Sequence, residues 1–353
     1  MAGILPWQQE TWRQLWRSHG LMPHSMLLIG AEGIGKSQFA QSLAQRLLCE
    51  TQINNADALA CSNCPSCKLF SIRNHPDFRW LVPASSADEP TEAVTKNETN
   101  VAENSGKAKK QASSQILIGQ IRELNDFVFV SSHRGGRRVV LIEPAQKMNA
   151  VAANALLKIL EEPPDGVFFI LVSSQWRRLP PTILSRCLRV PMPKPTQQQA
   201  SSWLADQPEN HAASLLTLCG GAPLLAQAEN KRRTVLEQLS ASLIVNQNTN
   251  FLSLASYWEG LLKSDPTLNM SDIVLTMQKA VYDWTLLSLG QEIRFMDASA
   301  SQLNFLCQRL QLPRLLALYK ILLRARSLAD HPLNTRLMLD DLASRYLQIF
   351  GLV

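Results

Sequence analysis

The sequence predicts an α/β fold, with a phosphate-loop domain on a parallel sheet, a four-cysteine module inserted in it, and helical domains after it. Three observations support this. Gly30-Ala31-Glu32-Gly33-Ile34-Gly35-Lys36-Ser37 matches G-x4-G-K-[ST] in full, between an apolar run and a helical pattern. Short apolar runs alternate with helical patterns as far as residue 190, as in a parallel sheet covered on both faces. After Pro191-Met192-Pro193-Lys194-Pro195 the strand signals stop.

Strands are predicted at residues 26–29, 78–82, 138–142, 167–173 and 188–190, where apolar residues run together and are bounded by turn formers. Residues 36–48 place Phe39, Leu43 and Leu47 at helical spacing with no Gly or Pro, and further helices are predicted at 116–130 and 150–160. Residues 84–114 lack aromatic residues and hold only two valines as sizeable apolar groups, so the sequence predicts a disordered insertion there. Residues 196–237 read as short helices broken at Gly220-Gly221-Ala222-Pro223, and long amphipathic stretches follow from about residue 240. The expected domains are 1–193, with the cysteine module at 49–67, then a small helical domain at 194–238 and a larger helical one at 239–353.

The 353 residues are 46% hydrophobic and 18% charged, an ordinary globular mixture that exceeds one compact core. No window reaches the roughly 18 uncharged apolar residues of a membrane span, and the N-terminus lacks signal-peptide order. No membrane partner and a cytoplasmic location are therefore expected. The net charge of +6 is thinly spread and permits nucleic-acid contact without requiring it.

In the phosphate loop, Gly30, Gly33 and Gly35 let backbone N–H groups wrap phosphates at a helix N-terminus. Lys36 would reach the β- and γ-phosphates of ATP and Ser37 would bind Mg2+. A working ATPase also needs two consecutive acids at the end of a neighbouring strand. Here Glu143 could serve the metal, but Pro144 stands where the water-orienting carboxylate belongs. The expectation is nucleotide binding with poor hydrolysis, unless another acid substitutes. Cys49, Cys61, Cys64 and Cys67 allow a closed, structural Zn2+ site, with an iron–sulfur cluster or free thiols as alternatives. His75-Pro76-Asp77 reads as a structural turn. Arg186, in Ser185-Arg186-Cys187, reads equally as an ordinary salt-bridge partner or as a finger donated to a neighbouring subunit's nucleotide.

Together these pieces resemble the clamp-loader branch of the AAA+ ATPases. The most specific stretch is residues 152–164 (AANALLKILEEPP), joined by Ser185-Arg186-Cys187, the cysteine module, His75-Pro76-Asp77 and residues 334–346 (NTRLMLDDLASRY). The resemblance spans nearly the whole chain except residues 84–114. It implies an AAA+ RecA-like sheet, a helical lid at 194–238 and an oligomerising collar at 239–353. Within the branch, Leu5-Pro6-Trp7 and the following helix resemble a stator subunit. A motor subunit should keep Asp-Glu where this chain has Glu143-Pro144, and an arginine near Gly220-Gly221-Ala222-Pro223. Ser173 and Ser174 stand at the family's first sensor position, without its usual threonine.

The resemblance further implies a subunit of the DNA polymerase III holoenzyme that helps load the sliding clamp and carries no polymerase chemistry of its own. Its partners would be tau/gamma motor subunits, delta, the clamp indirectly, and primed DNA through the assembled complex. Arg186 would complete the ATP site of an adjacent motor subunit. Arg134, Arg137 and Arg138 are candidate phosphate-backbone contacts, or else a solvated cluster. The rival readings are an autonomous tau/gamma-type ATPase and a zinc-dependent DNA-binding protein with a vestigial phosphate loop.

Overall fold

The computed structural model describes residues 3–17, 22–51, 55–83, 115–130, 132–134, 136–207, 214–246, 248–328 and 334–352. The stretch expected to be disordered, 84–114, lies outside them. The chain divides into two compact units, Met1–Lys194 and Pro195–Val353.

In the first unit, short apolar runs become strands and the patterned segments between them become helices. After α1 (Gln9–Arg17) come β1 (Ser25–Ile29), α2 (Lys36–Leu48), α3 (Pro65–Ser71) and β2 (Phe78–Leu81). Next are α4 (Ile118–Phe129), β3 (Arg138–Ile142), α5 (Ala150–Glu161), β4 (Val167–Ser173), α6 (Pro181–Leu184) and β5 (Leu188–Pro191). The five strands form one parallel sheet in the order β2-β3-β4-β1-β5. Each sequence-predicted strand and helix is present, with ends displaced by a residue or two.

The side-chain alternation of the strands separates the two faces of the sheet. Leu27, Val140, Ile142, Phe169 and Leu171 pack with Ile121 and Leu124 of α4 and Leu156 and Ile159 of α5. The intervening Met26, Leu28, Val139 and Leu141 are equally buried, and α2 lies against β1, β3 and β4. Both faces are therefore covered, which is why these strands read as continuous apolar runs. Parallel pairing brings the carboxyl ends of β1, β3 and β4 to one edge, where ligands of open α/β sheets bind.

The second unit is all helical. It contains α7 (Gln197–Ala205), α8 (Leu215–Leu218), α9 (Pro223–Ala228), α10 (Arg233–Ser242) and α11 (Phe251–Ser264). These are followed by α12 (Met270–Ser288), α13 (Ala300–Cys307), α14 (Leu312–Leu328) and α15 (Thr335–Gln348). A single apolar cluster runs from Ala200 to Phe350, across the position where the lid–collar division was expected. Two of its largest buried side chains, Trp284 and Tyr346, pair their polar atoms. The Trp284 indole donates to the Tyr346 hydroxyl at 2.8 Å, and that hydroxyl donates to the Leu243 carbonyl at 2.5 Å. Among the described residues, no helix is long and apolar enough to cross a membrane.

Asp283 of α12 is fully buried and accepts the backbone N–H groups of Arg294, Phe295 and Met296 at 2.7–2.9 Å, fixing the turn that follows the helix. Burial raises its carboxyl pKa, while the three donors oppose that rise. Asp283→Ala leaves three N–H groups without their acceptor, so it should cost about 2–4 kcal/mol in chemical denaturation.

Candidate functional site

The phosphate loop leaves β1 at Ile29 and enters α2 at Lys36. Gly33 and Gly35 have φ of 73° and 90°, a left-handed backbone that side chains disfavour. At Gly30 a Cβ would meet Ile34 Cδ1 at 2.8 Å and the Met192 carbonyl oxygen at 3.2 Å, so the requirement there is close approach. The chain start holds the loop from outside, since Trp7 Nε1 and Gln8 Nε2 both donate to the Ile34 carbonyl, at 3.0 and 2.9 Å. Leu5-Pro6-Trp7 entered the sequence reading only through the resemblance. The backbone carbonyl it meets is 27 residues away and invisible to local patterning.

Lys36 is only 7% exposed, and its Nζ donates to the Ala31 carbonyl at 2.5 Å. Burial lowers its pKa, and the charges of Glu32 and Glu143 work against that. Ser37 Oγ donates to Glu143 Oε2 at 2.8 Å, joining the loop after β1 to the end of β3 across the intervening β4. Burial raises the Glu143 carboxyl, against the Ser37 hydrogen bond and Lys36. The site thus brings Gly30, Gly33, Gly35, Lys36, Ser37 and Glu143 together. The Glu143–Pro144 peptide is cis, and position 144 supplies no carboxylate. The acids that bear on Lys36 are Glu32, in the loop itself, and Glu143.

Ser173, at the end of β4, is also occupied. Its Oγ donates to Gln146 Oε1 at 2.7 Å, and Gln146 Nε2 donates to Ser174 Oγ at 3.1 Å. Gln146 escaped the sequence reading, because a lone glutamine in a turn carries no motif.

The four cysteines converge. Their sulfurs lie within 4.8 Å of one another, with Cys49–Cys64 at 4.0 Å and Cys61–Cys67 at 3.9 Å. Tetrahedral Zn–S bonds of about 2.3 Å separate the sulfurs by about 3.8 Å, so the cluster could hold a metal ion of that kind. Backbone N–H groups of Cys61, Cys64 and Cys67 point at sulfurs at 3.3–3.5 Å, the stabilisation a thiolate set requires. Thr51 and the backbone of Cys64 and Asn63 pull the Cys61 thiol down to about 6, whereas burial pushes Cys67 up.

His75 stands outside this set. Ser66 Oγ donates to the Leu48 carbonyl at 2.6 Å, so its oxygen accepts from His75 Nε2, also at 2.6 Å. His75 Nδ1 then accepts the Asp77 N–H at 3.0 Å, which assigns the neutral Nε2–H tautomer; burial, the main cause, lowers its pKa. Arg46, missed in the sequence, secures the approach to the module. It donates to the Asn55, Ala56 and Ala58 carbonyls and stacks 3.8 Å from the Trp16 ring centre.

The basic triplet at 134–138 divides. Arg134 pairs with Glu50 at 3.0 Å, and Arg137 reaches the Leu47 carbonyl at 3.4 Å. Arg138 fits neither of its expected roles, since it is 3% exposed, lies 3.6 Å from buried Asp77 and donates to the Phe127 and Val128 carbonyls. Arg186, after α6, is partly exposed. It pairs with Glu161 at the end of α5 and donates to the Thr182 carbonyl and Ser185 Oγ at 3.0 and 3.2 Å.

A family profile described as "DNA polymerase III, delta subunit" matches residues 7–196, taking in the phosphate loop, the cysteine module and Arg186. The chain belongs to this family. Among curated proteins it is similar to "DNA polymerase III subunit delta'" of Pseudomonas aeruginosa, 39% identical over 231 residues, covering 64% of this chain and 61% of that one. The Haemophilus influenzae protein of the same name is 28% identical over 257 residues, covering 71% and 66%. "DNA polymerase III subunit tau" of Escherichia coli is 31% identical over 172 residues, covering 49% of this chain and 22% of that one. The match spans a little under two thirds of the delta' relatives' own length.

The Ser66 hydroxyl serves two buried partners at once. Ser66→Ala should therefore destabilise the first unit by about 1–3 kcal/mol in chemical denaturation, leaving the Leu48 carbonyl and the His75 N–H unpaired.

Proposed function

We propose that the chain works as a delta'-type stator of a DNA polymerase III clamp loader, helping to place the sliding clamp on primed DNA while turning over little ATP itself. The observation that carries this reading is the pairing of an intact Lys36–Ser37–Glu143 constellation with Pro144. Family membership and the names of the relatives support it. Gly30, Gly33, Gly35 and the N-terminus of α2 would hold the phosphates of ATP, and Lys36 would exchange the Ala31 carbonyl for them. Ser37 and Glu143, whose oxygens already adjoin, would hold Mg2+. Bound ATP would supply a charge that orders the loop, while no side chain at 144 can orient an attacking water.

Arg186 would act in trans. Released from Glu161, its guanidinium would meet the phosphates bound by an adjacent tau/gamma motor subunit. Residues 194–238 would serve as a lid and 239–353 as a collar that joins this chain to motor and delta subunits. The match to a tau subunit raises an ATPase motor as a second reading, and Pro144 stands against it. Cys49, Cys61, Cys64 and Cys67 would hold structural Zn2+, closed to substrates.

Two measurements test these assignments. In a complex reconstituted with motor subunits, clamp and primed DNA, Arg186→Ala should lower DNA-stimulated ATP turnover at least about tenfold. An unchanged rate would remove the finger, and steady turnover by the isolated chain that Lys36→Ala abolishes would establish a motor instead. Elemental analysis should find about one zinc per chain, lost together with thermal stability in Cys64→Ser. Iron, or no metal, would overturn the zinc assignment.

A further inference from the structure

The cysteine module forms one wall of a cavity that no part of the proposed clamp-loading role uses. The cavity, about 260 Å³, lies between α2, the end of the module and edge strand β2. Phe70 from α3 and Phe78 from β2 form an apolar side, their rings 4.8 Å apart. The opposite character comes from Gln45, Trp80 and Arg73, which also line it. Gln45 Nε2 and Trp80 Nε1 are buried donors with no hydrogen-bond partner among the described residues. The Arg73 guanidinium carbon sits 5.8 Å from the Trp80 ring centre, adding positive charge. No acidic side chain lines the cavity among the described residues.

A buried N–H without an acceptor is costly, so two such donors on residues lining one small cavity mark the place of an acceptor that arrives from outside. A carboxylate supplies oxygens for both N–H groups and a charge for Arg73, and the phenyl walls take an apolar group beside it. The volume falls just below the roughly 300 Å³ at which pockets begin to hold drug-sized molecules, so it suits about one residue. β2 pairs with β3 on one side and has no strand beyond it among the described residues, leaving an edge along which an extended segment can lie.

We propose that this cavity is a docking site for the C-terminus of an extended partner peptide, taking its last, apolar residue together with the free carboxylate. The donors Gln45 and Trp80 bind the carboxylate oxygens, Arg73 neutralises the charge, and Phe70 and Phe78 hold the side chain. The cysteine module thereby acquires a recognition role as well as a structural one. Gln41 also lines the cavity and donates to Ser37 Oγ at 3.2 Å, so the two sites adjoin along α2, but the inference does not rest on the stator reading.

The test uses the full chain labelled with 15N-tryptophan and N-acetyl-L-phenylalanine as the probe. The Trp80 indole N–H signal, identified by its loss in Trp80→Phe, should shift saturably on titration. N-acetyl-L-phenylalaninamide, which lacks the charge, should bind at least tenfold more weakly, and inorganic phosphate at the same concentration should produce no saturable shift. Arg73→Asn keeps a residue that tolerates the φ of 58° found there, and should weaken carboxylate binding at least tenfold with the other indole signals unmoved. If Arg73→Asn disturbs those signals, Gln45→Met replaces it and should weaken binding at least threefold. Equal binding of acid and amide, an equal response to phosphate, or a Trp80 signal that stays in place would overturn the proposal.

Discussion

The buried carboxylate of Asp77 joins the pieces of the first unit that local sequence cannot join. Its oxygens accept the backbone N–H groups of His133 and Arg134 at 2.8 Å, and Arg138 lies 3.6 Å away. Its own N–H binds His75, which reaches Ser66 and through it the end of α2. Edge strand β2, the turn before β3 and the cysteine module are therefore held by one charge at zero exposure. A carboxylate so buried is tolerable only when hydrogen bonds and a cation replace its water. Arg138, Asp77, His75 and Ser66 form one dependent chain, and the positions of α3 and β2 follow from it.

The phosphate-loop edge of the sheet follows another logic. Strand order places the loop after β1 and the end of β3 on either side of β4, and the Ser37–Glu143 hydrogen bond spans that gap. The arrangement suits the binding of phosphate and a divalent cation, since backbone donors, a lysine, a hydroxyl and a carboxylate converge. Position 144, a proline, supplies no second acid beside Glu143 to polarise water. In the proposed stator role, binding and hydrolysis would separate at a single position, 144, and the subunit would lend Arg186 to a neighbour rather than cleave its own nucleotide. The ion pair of Arg186 with Glu161 keeps that guanidinium satisfied within its own chain. Because the pair is partly exposed, water screens it, and the arginine can leave at modest cost.

Much of the fold was legible in the chain. Five apolar runs became five strands, because strands buried on both faces need continuous hydrophobicity. The helices from Lys36 and Ala150 began where predicted, set by Gly35 at one N-cap and by the Asn149 side chain accepting from Ala152 at the other. The four cysteines were legible because a cluster able to hold a metal ion is written in short spacings. Gln8, Arg46 and Gln146 were not legible, since each acts on a backbone or side-chain group far along the sequence. Arg138 was misread as a surface base for the same reason, its partner Asp77 being 61 positions away.

The sequence by itself determined the strand and helix pattern, the phosphate loop, the metal-type cysteine set and the missing acid at 144. These are local properties of spacing and residue type, and they need no knowledge of what lies across the sheet. Only the tertiary structure decided that Ser37 meets Glu143, that Arg138 is a buried counter-ion, that Arg186 rests on Glu161, and that Gln45 and Trp80, each with a buried donor lacking a partner among the described residues, line one cavity. Each of these depends on strand order and on which faces close against each other, and parallel pairing through long crossovers sets both without leaving a trace in adjacent residues. For the phosphate loop, the motif specified a place for phosphates, while the strand order brought Glu143 there and left Pro144 beside it.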